Sequence, residues 1–198
     1  MAASNPTELS ATHIFTEGRT AYRFTDTAIG DDQLQAIYDL AKYTPTSQNC
    51  QPLRVVFVRT DRAKARLLPL LAAKNRDYAA TAPVSAILAA DHSFHRHLAV
   101  LNPYKPDLGA TLAADAPRRQ AKAADNSWLQ AGAFLLAVRA VGLDAGPLGG
   151  FDTAAVDAEF LADTDWHSFL VVNIGHVAAH GHRPRAPRHS FDEAARLL

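Results

Sequence analysis

The nine residues 44–52, TPTSQNCQP, bring the only cysteine of the chain together with hydroxyl and amide side chains. A catalytic thiol needs an activating histidine or a positive environment, and the sequence neighbours of Cys50 are amides and prolines. We therefore expect Cys50 to be a packing residue, with a thiol site as the alternative. The amide and hydroxyl groups of the same loop could instead hydrogen-bond to a polar ligand.

A second group consists of the three histidines His92, His95 and His97. His92 and His95 could share one face of a helix, as zinc ligands sometimes do. Their spacing matches no closed metal signature, and no cysteine or paired carboxylate accompanies them. We expect surface histidines and no metal site. A metal-dependent hydrolase built on these histidines is the alternative from another functional class.

A third group is the glycine-rich run 146–152, GPLGGFD. Its glycines leave backbone N–H and C=O groups uncovered by side chains, so a flat ligand could approach the main chain. The run lacks the G-x-G-x-x-G order after a strand that marks a dinucleotide-binding loop. A turn between a helix and a strand explains the run equally well.

Arginines form the fourth group. Arg19 and Arg23 lie near one end of the chain, and Arg183, Arg185 and Arg188 lie near the other. The planar guanidinium binds phosphate through two parallel hydrogen bonds, so a fold that brought the two ends together would make a phosphate site. Scattered surface arginines are the alternative interpretation.

Length and composition restrict the functions that these residues can serve. The chain has 198 residues, 48% of them hydrophobic and 20% charged, and we expect one domain over 1–198. Its formal net charge is zero, which gives no indication of a nucleic-acid or membrane surface. A single cysteine cannot form an internal disulfide, and residues 1–15 lack the basic start and apolar run of a signal peptide. We expect a cytoplasmic protein without a membrane span.

Apolar spacing and turn residues predict the elements that must position these groups. The sequence predicts helices over 31–42, 61–73, 118–141 and 153–162, a short helix at the C-terminus, and strands over 53–60, 82–91 and 168–176. Residues 143–152 are predicted as a glycine-proline turn, and 92–117 as a mobile excursion of short helices. The helix over 118–141, which includes Trp128, is apolar nearly all round in its second half, so we expect it to be central and buried. Helices with three or four dispersed short strands indicate an α+β layered fold.

Four motifs occur in the order typical of the FMN-dependent nitroreductase family: Arg19-Thr20, PTSQNCQP, GPLGGFD and RPRAPR. The chain resembles that family over essentially its whole length. Four longer runs are similar to the malonic semialdehyde reductase branch, associated with pyrimidine degradation: YTPTSQNCQPLRVVFVRT, TAPVSAILAAD, VGLDAGPLGGFD and PRAPRHSFDEAARLL. The resemblance implies a three-layer α+β fold with a small, mostly antiparallel sheet flanked by helices, a long central helix, and an obligate homodimer.

The resemblance also implies an FMN cofactor, bound in a cleft at the subunit interface. Arg19 and Thr20 match the start of the family's N-terminal phosphate motif. The second basic residue of that motif falls at Tyr22, with Arg23 one position later. Which residue supplies this second phosphate contact therefore stays open.

The C-terminal arginines of the family correspond best to Arg185, with Arg188 or Arg183 as its companion. Two basic clusters that are distant in sequence would then converge on one dianionic phosphate. The positions of the arginines at the two ends of the chain suggest the same convergence independently of the resemblance.

The remaining flavin contacts implied by the resemblance come from the two loops. The polar loop would approach the flavin from the second subunit through Pro45, Thr46, Ser47 and Asn49. The amide of Asn49 can both donate and accept at the polar edge of the isoalloxazine. The glycine-rich run would face the flavin ring with its backbone through Pro147, Leu148, Gly149 and Gly150. A main-chain N–H there could hydrogen-bond to flavin N5.

The reaction implied is a ping-pong hydride transfer from NADH or NADPH, through flavin N5, to a small aldehyde, nitro compound or quinone. No side chain is required as a nucleophile, so we expect no catalytic residue. Malonic semialdehyde, reduced to 3-hydroxypropanoate, is the first candidate substrate. Gln51 and the pair Leu148-Gly149 depart from the branch, which leaves a broad-specificity nitroreductase or quinone reductase as the alternative. A flavin-binding module without catalytic activity is a further, more remote alternative.

Overall fold

The run Val84–Asp91 carries apolar residues on both sides of an extended chain, and this pattern fits a strand with no exposed face. In the computed structural model, which describes residues 12–198, this run is strand β2 and every residue in it is buried. Residues 1–15, in which we expect no signal peptide, lie mostly outside the described residues.

Four strands form one antiparallel sheet in the order β1-β2-β4-β3. The strands are β1 (Leu53–Val58), β2 (Val84–Asp91), β3 (Asp144–Leu148) and β4 (Trp166–Gly175). The two central strands are therefore β2 and β4, and β1 and β3 are the two edges.

The α-helices of the described chain are eight in number. They are α1 (Asp31–Ala41), α2 (Asp61–Leu67), α3 (Ala73–Thr81), α4 (Leu98–Leu101), α5 (Leu108–Ala113), α6 (Ala116–Ala140), α7 (Thr153–Phe160) and α8 (Phe191–Ala194). No helix within residues 12–198 is long and apolar enough to cross a membrane.

Helices cover both faces of the sheet. On one face, Ala86 and Leu88 of β2 pack with residues of α1 and α6 such as Ile37 and Phe134. On the other face, Ile87 of β2 belongs to a cluster with residues of α2, α3 and α7. The predicted three-layer α+β fold is confirmed.

Helix α6 spans 25 residues, which corresponds to about 37 Å. Asp115 caps its start by accepting a hydrogen bond from the Arg118 N–H. Its position across the sheet confirms the prediction of a long central helix. The expectation of burial is right for Phe134 and wrong for Trp128, whose surface is 53% exposed in the single chain although its ring lies on Phe169.

Two elements differ from the sequence prediction. The predicted turn over 143–152 contains strand β3, which pairs with β4. Pro147 is tolerated in β3 because β3 is an edge strand, where a missing N–H does not break the sheet. The predicted helix over 61–73 ends at Leu67 and continues as a 3₁₀ turn around Pro69, which cannot extend an α-helix. A separate helix, α3, which the sequence analysis did not identify, follows this turn.

The excursion over 92–117 consists of short helices, as predicted. Three of its side chains are buried, Phe94, Leu98 and Leu112, and they pack with Cys50 and Ala123. The excursion is thereby attached to both the polar loop and α6.

Candidate functional site

Arginines from the two ends of the chain line one cleft of about 170 Å³. The N-terminal segment supplies Arg19 and Thr20, and the C-terminal segment supplies three arginines. The complete lining is Gly18, Arg19, Thr20, Tyr22, Arg183, Pro184, Arg185, Ala186 and Arg188. The convergence of the two basic clusters that the sequence suggested is present in the fold.

Backbone pairing at the edge of the sheet joins these two segments. The Ala21 N–H donates to the Ala145 carbonyl of β3 at 3.0 Å, and the Tyr22 N–H donates to the Gly181 carbonyl at 2.8 Å. The ring of His182 adds a contact from Nδ1 to the Thr20 carbonyl at 3.1 Å. The position of the cleft is therefore fixed by the edge of β3.

The arginines of the cleft are held mainly by backbone carbonyls. Arg185 donates to the carbonyls of Thr16 and Gly18, the latter at 3.0 Å. Within the described part of the chain, Arg19 makes one long hydrogen bond of 3.5 Å, to the Arg183 carbonyl. A guanidinium has five N–H donors, so these bonds leave donors for an anion.

Arg183 lies beside Tyr22, the residue that stands where the N-terminal motif has its second basic residue. Its guanidinium lies 4.4 Å from the centre of the Tyr22 ring, a cation–π geometry, and donates to the Tyr78 hydroxyl at 3.1 Å. Arg23 is exposed and is not part of the cleft lining. Of the two residues considered for the second phosphate contact, Tyr22 lines the cleft and Arg23 does not, and Arg183 from the other end of the chain lies against Tyr22.

One more arginine, which was not predicted from the sequence, lies behind the cleft. Arg139 of α6 donates to the Ile14 carbonyl at 3.1 Å, and its guanidinium lies where a side chain on Gly18 would have to be. Burial lowers the pKa of Arg139, and the charge of Arg185 acts in the same direction. The only indication of Arg139 in the sequence was its position near the C-terminal end of a helix whose second half is largely apolar. Its charge adds to the positive potential at this cleft.

The glycine-rich run lies at the end of β3. Pro147 pairs with Val172, and Leu148 is buried beneath the strand. Gly149 is exposed, and apart from its two chain neighbours no atom of the described residues lies within 4 Å of the place where its Cβ would be. Gly150 is held closely, because its carbonyl accepts a hydrogen bond of 2.9 Å from the amide of Asn75. The backbone at Gly149 is open to a flat ligand.

The polar loop has an unusual backbone. Gln48, Asn49 and Gln51 all have positive φ, at 60°, 54° and 40°. Residues other than glycine rarely adopt this region, and such conformations concentrate at ligand-binding and catalytic sites. The amide of Asn49 donates to the Leu101 carbonyl at 2.7 Å and accepts from the Gln51 amide at 2.8 Å.

Helix α6 holds the loop through buried amides one turn apart. Asn126 accepts from the Ser47 N–H at 2.7 Å, and Gln130 accepts from the Leu53 N–H at 3.0 Å. Lys122, one turn earlier, donates to the Ser47 hydroxyl at 2.7 Å. Lys122, Asn126 and Gln130 are spaced four residues apart and so share one face of α6, a spacing from which their common role could have been predicted.

Cys50 is fully buried within the cluster formed by the excursion. Burial raises the pKa of the Cys50 thiol, which disfavours the reactive thiolate. The prediction of a packing residue is confirmed.

A larger cavity of about 510 Å³ lies beside the exposed edge of β1. It is lined by Tyr38, Ala41, Lys42, Gln51, Leu53, Arg54, Val55, Phe57, His97, Val100, Leu101, Gln130, Phe134 and Trp166. This volume is within the range of small-molecule sites, and Gln51 connects the cavity to the polar loop.

The side chains of the three histidines of the excursion lie in different surroundings. His97 lines the large cavity, and His95 has a buried Nδ1 without a hydrogen-bond partner among the described residues. The ring of His92 stacks instead on His167 of β4 at 4.1 Å. Burial is the main cause that lowers the pKa of His92, followed by the neighbouring His167. The grouping on which the hydrolase alternative depends is therefore absent from the described structure.

The two candidate flavin loops lie at opposite edges of the sheet. The polar loop enters β1, and the glycine-rich run leaves β3. Three inter-strand spacings separate these edges, which is about 14 Å. The arginine cleft lies on the β3 side, where Ala21 pairs with Ala145.

These features define an α+β protein with a cationic cleft and an open backbone at one sheet edge and a backbone-strained polar loop at the other. Comparison with known proteins identifies the class. The sequence profile described as "Nitroreductase family" matches residues 16–176. The chain belongs to the nitroreductase family.

Individual relatives agree with this assignment. A protein of Streptomyces coelicolor, provisionally named NADH dehydrogenase/NAD(P)H nitroreductase SCO7141, is 49% identical over 189 residues, which are 96% of this chain and 93% of that protein. A nitroreductase family structure from Streptococcus pneumoniae has a TM-score of 0.83 at 20% identity, covering 96% of this chain and 100% of that one. A nitroreductase-like structure from Exiguobacterium sibiricum, solved in complex with FMN, has a TM-score of 0.75 at 20% identity and covers 100% and 99%.

Proposed function

We propose that this protein reduces a small aldehyde, with malonic semialdehyde converted to 3-hydroxypropanoate as the first candidate reaction. The proposal rests on the four runs that resemble the malonic semialdehyde reductase branch. One structural observation supports the FMN requirement of this reaction: Arg19, Arg183, Arg185 and Arg188 meet in a single cleft.

The broader activity is that of the family. The chain is an FMN-dependent NAD(P)H oxidoreductase. FMN supplies reversible hydride transfer at its N5 position, so the protein has to bind, orient and shield the reactants and needs no nucleophile of its own.

The residues of the arginine cleft fit the phosphate end of FMN. Phosphate is a dianion with several acceptor oxygens, and the cleft offers guanidinium donors and the Thr20 hydroxyl. At about 170 Å³ the cleft is smaller than a whole cofactor site, so it suits the phosphate alone. We assign Arg19, Thr20, Arg185 and Arg188 to the phosphate, with Arg183 in the place of the missing second basic residue.

The flavin ring would lie over the backbone of Pro147, Leu148, Gly149 and Gly150. Gly149 presents main chain that no side chain covers, so a ring can lie close to it. The opposite contacts would come from Pro45, Thr46, Ser47 and Asn49 of a second chain. A homodimer meets this requirement, because the two loops of one chain lie about 14 Å apart across the sheet.

The alternative is a broad-specificity nitroreductase or quinone reductase, and the large cavity favours it. At about 510 Å³ the cavity exceeds the need of a three-carbon acid, and Tyr38 and Trp166 give it aromatic walls. Its two Lys/Arg side chains are already paired, Lys42 with Asp39 at 2.5 Å and Arg54 with Asp91 at 2.6 Å. Neither is an unpaired cation for a carboxylate substrate.

Turnover measurements decide between the two substrate classes. The FMN-loaded protein is assayed with malonic semialdehyde, a nitroaromatic and a quinone, each with NADH and with NADPH. The proposal expects kcat/KM to be highest for the aldehyde. A clear preference for the nitroaromatic or the quinone would establish the alternative and reject the aldehyde assignment, and a protein that takes up no FMN would contradict both.

A further inference from the structure

Three side chains with metal-binding atoms meet where β2 ends and β4 begins. His92 follows β2, Asp165 precedes β4, and His167 is the second residue of β4. One ligand atom of each lies within 4.8 Å of the other two, and the two imidazole rings stack with centroids 4.1 Å apart. The cluster lies outside the arginine cleft and outside the lining of the large cavity.

The backbone holds these side chains in place. The His92 N–H donates to the Asp165 carbonyl at 2.9 Å, and the His92 carbonyl accepts from Arg119 at 2.8 Å. His167 is fixed by its pairing with Ala90 in the sheet. Because rigid elements carry all three residues, little ordering is needed to bind an ion.

Carboxylate and hydroxyl neighbours complete the arrangement. One oxygen of Asp165 accepts from the Ser93 hydroxyl at 2.6 Å, and the other lies 3.5 Å from Nε2 of His167. On the far side of the ring, Nδ1 of His167 lies 3.6 Å from Asp157. Asp157 is itself fixed by the Ser168 N–H at 2.8 Å. A ligating histidine typically donates its other N–H to a carboxylate, which turns its free nitrogen toward the metal. Asp157 is the carboxylate placed for this role, although at 3.6 Å it is beyond hydrogen-bond length.

We propose that His92, Asp165 and His167 bind one divalent transition-metal ion, with Zn²⁺ as the expected occupant. Two imidazole nitrogens and one carboxylate oxygen are a ligand set that Zn²⁺ accepts, with water in the fourth position. His167 and Asp165 are both partly exposed, at 52% and 47%, so an ion and its water can reach the site. Mg²⁺ and Ca²⁺ prefer all-oxygen sites and are not expected here.

The location indicates what such an ion would do. His92 is the first residue of the excursion over 92–117, and Asp165 and His167 flank Trp166, a wall residue of the large cavity. A bound ion would therefore connect the start of the excursion to the cavity wall. Its role would be to stiffen this connection, independent of the substrate assignment.

Calorimetric titration of Zn²⁺ into the untagged, FMN-loaded protein tests the site. We expect one ion per chain, and at least about tenfold weaker binding in His92→Ala and in His167→Ala. His189→Ala is the matched control, because His189 is an exposed histidine 3.8 Å from Glu193, and the described residues offer no third ligand beside this pair. Unchanged affinity in both site variants, or the absence of saturable binding in the parent protein, would overturn the proposal.

Two further measurements separate ligation from general effects on folding. Asp157→Asn should weaken Zn²⁺ binding roughly tenfold while leaving the ligands in place, because it removes the negative charge beside Nδ1 of His167 that helps to orient this ligand. Zn²⁺ should also raise the Tm of the parent protein, because an ion that binds only the folded chain stabilises it. An equal rise in Tm in the His92→Ala/His167→Ala double variant would contradict the assignment.

Discussion

Arg19 and Arg185 line the same cleft, but their donors are used differently. Arg185 donates to the carbonyls of Thr16 and Gly18 and so holds the N-terminal segment in place. Among residues 12–198, Arg19 makes a single long hydrogen bond, to the Arg183 carbonyl at 3.5 Å. Replacing Arg185 would disturb both the fold of this segment and the charge of the cleft, whereas replacing Arg19 mainly removes charge.

Arg19→Ala should therefore weaken FMN binding without loss of stability. A hydrogen bond to a charged group contributes about 1.5–3 kcal/mol, which corresponds to roughly 10–150-fold in Kd. Titration of the apo-protein with FMN, followed by flavin fluorescence, measures the change. Arg196→Ala is the control, since Arg196 is exposed near the C-terminus and outside the cleft lining. Equal Kd values for the two variants would remove Arg19 from the phosphate site.

Single residues were only partly predictable from the sequence. The resemblance singled out Arg19, Thr20 and Arg185, and the fold brings them together. The contact of Arg183 with Tyr22 was not accessible, because it joins opposite ends of the chain. The same holds for His92 and His167, which become neighbours only through the pairing of β2 with β4.

At the scale of elements, the edge of β3 determines where the cleft lies. The segment around Ala21 runs along β3 so closely that a Cβ on Gly146 would lie 2.3 Å from the Ala21 carbonyl oxygen. Ala21 and Ala145 are joined by a backbone hydrogen bond of 3.0 Å. The position of Arg19 and Thr20 thus depends on the absence of a side chain at Gly146.

Gly146→Ala should push the N-terminal segment away from β3. Inserting atoms into a packed site costs about 1–3 kcal/mol, and for a chain of this size we expect a fall in Tm of roughly 2–12 °C. Thermal unfolding followed by circular dichroism checks the prediction. Gly149→Ala is the matched control, because its Cβ would meet nothing within 4 Å. Identical Tm values for both variants would show that this close approach does not matter.

Elements differ in how well the sequence predicts them. Helices α1 and α6 and strands β1, β2 and β4 carry a clear apolar periodicity or a short apolar run, and each lies within a few residues of its predicted position. Strand β3 was predicted as a turn, because its sequence, DAGPL, has the composition of a turn. Only pairing with β4 makes it a strand, and such tertiary context overrides local propensity.

At the scale of the whole molecule, two features suggest that a single chain is incomplete. The two loops proposed to contact the flavin are separated by the width of the sheet. Helix α6, which holds the polar loop through Asn126, also exposes Trp128 and Leu129, each by 53%. Adjacent large apolar side chains on a central helix are typical of a surface that is buried in an assembly.

We therefore expect the protein to sediment as a homodimer, at twice the 21.4 kDa of the chain. Leu129→Glu would bury a charge in the dimer interface, so it should shift the equilibrium toward the monomer and weaken FMN binding in parallel. Analytical ultracentrifugation with absorbance detection of the flavin measures both quantities in one experiment.

The control for this experiment lies on the opposite helical layer. Ala65 is an exposed residue of α2, and Ala65→Glu should leave both the mass and the FMN occupancy unchanged. A parent protein that is monomeric with full FMN occupancy would refute the shared site, because one chain would then supply every flavin contact. A Leu129→Glu variant that stays dimeric would place the interface on another surface than α6. If Leu129→Glu lowers both the sedimenting mass and the FMN occupancy, the result supports a site built from two chains, since only then does FMN retention depend on a residue of the interface.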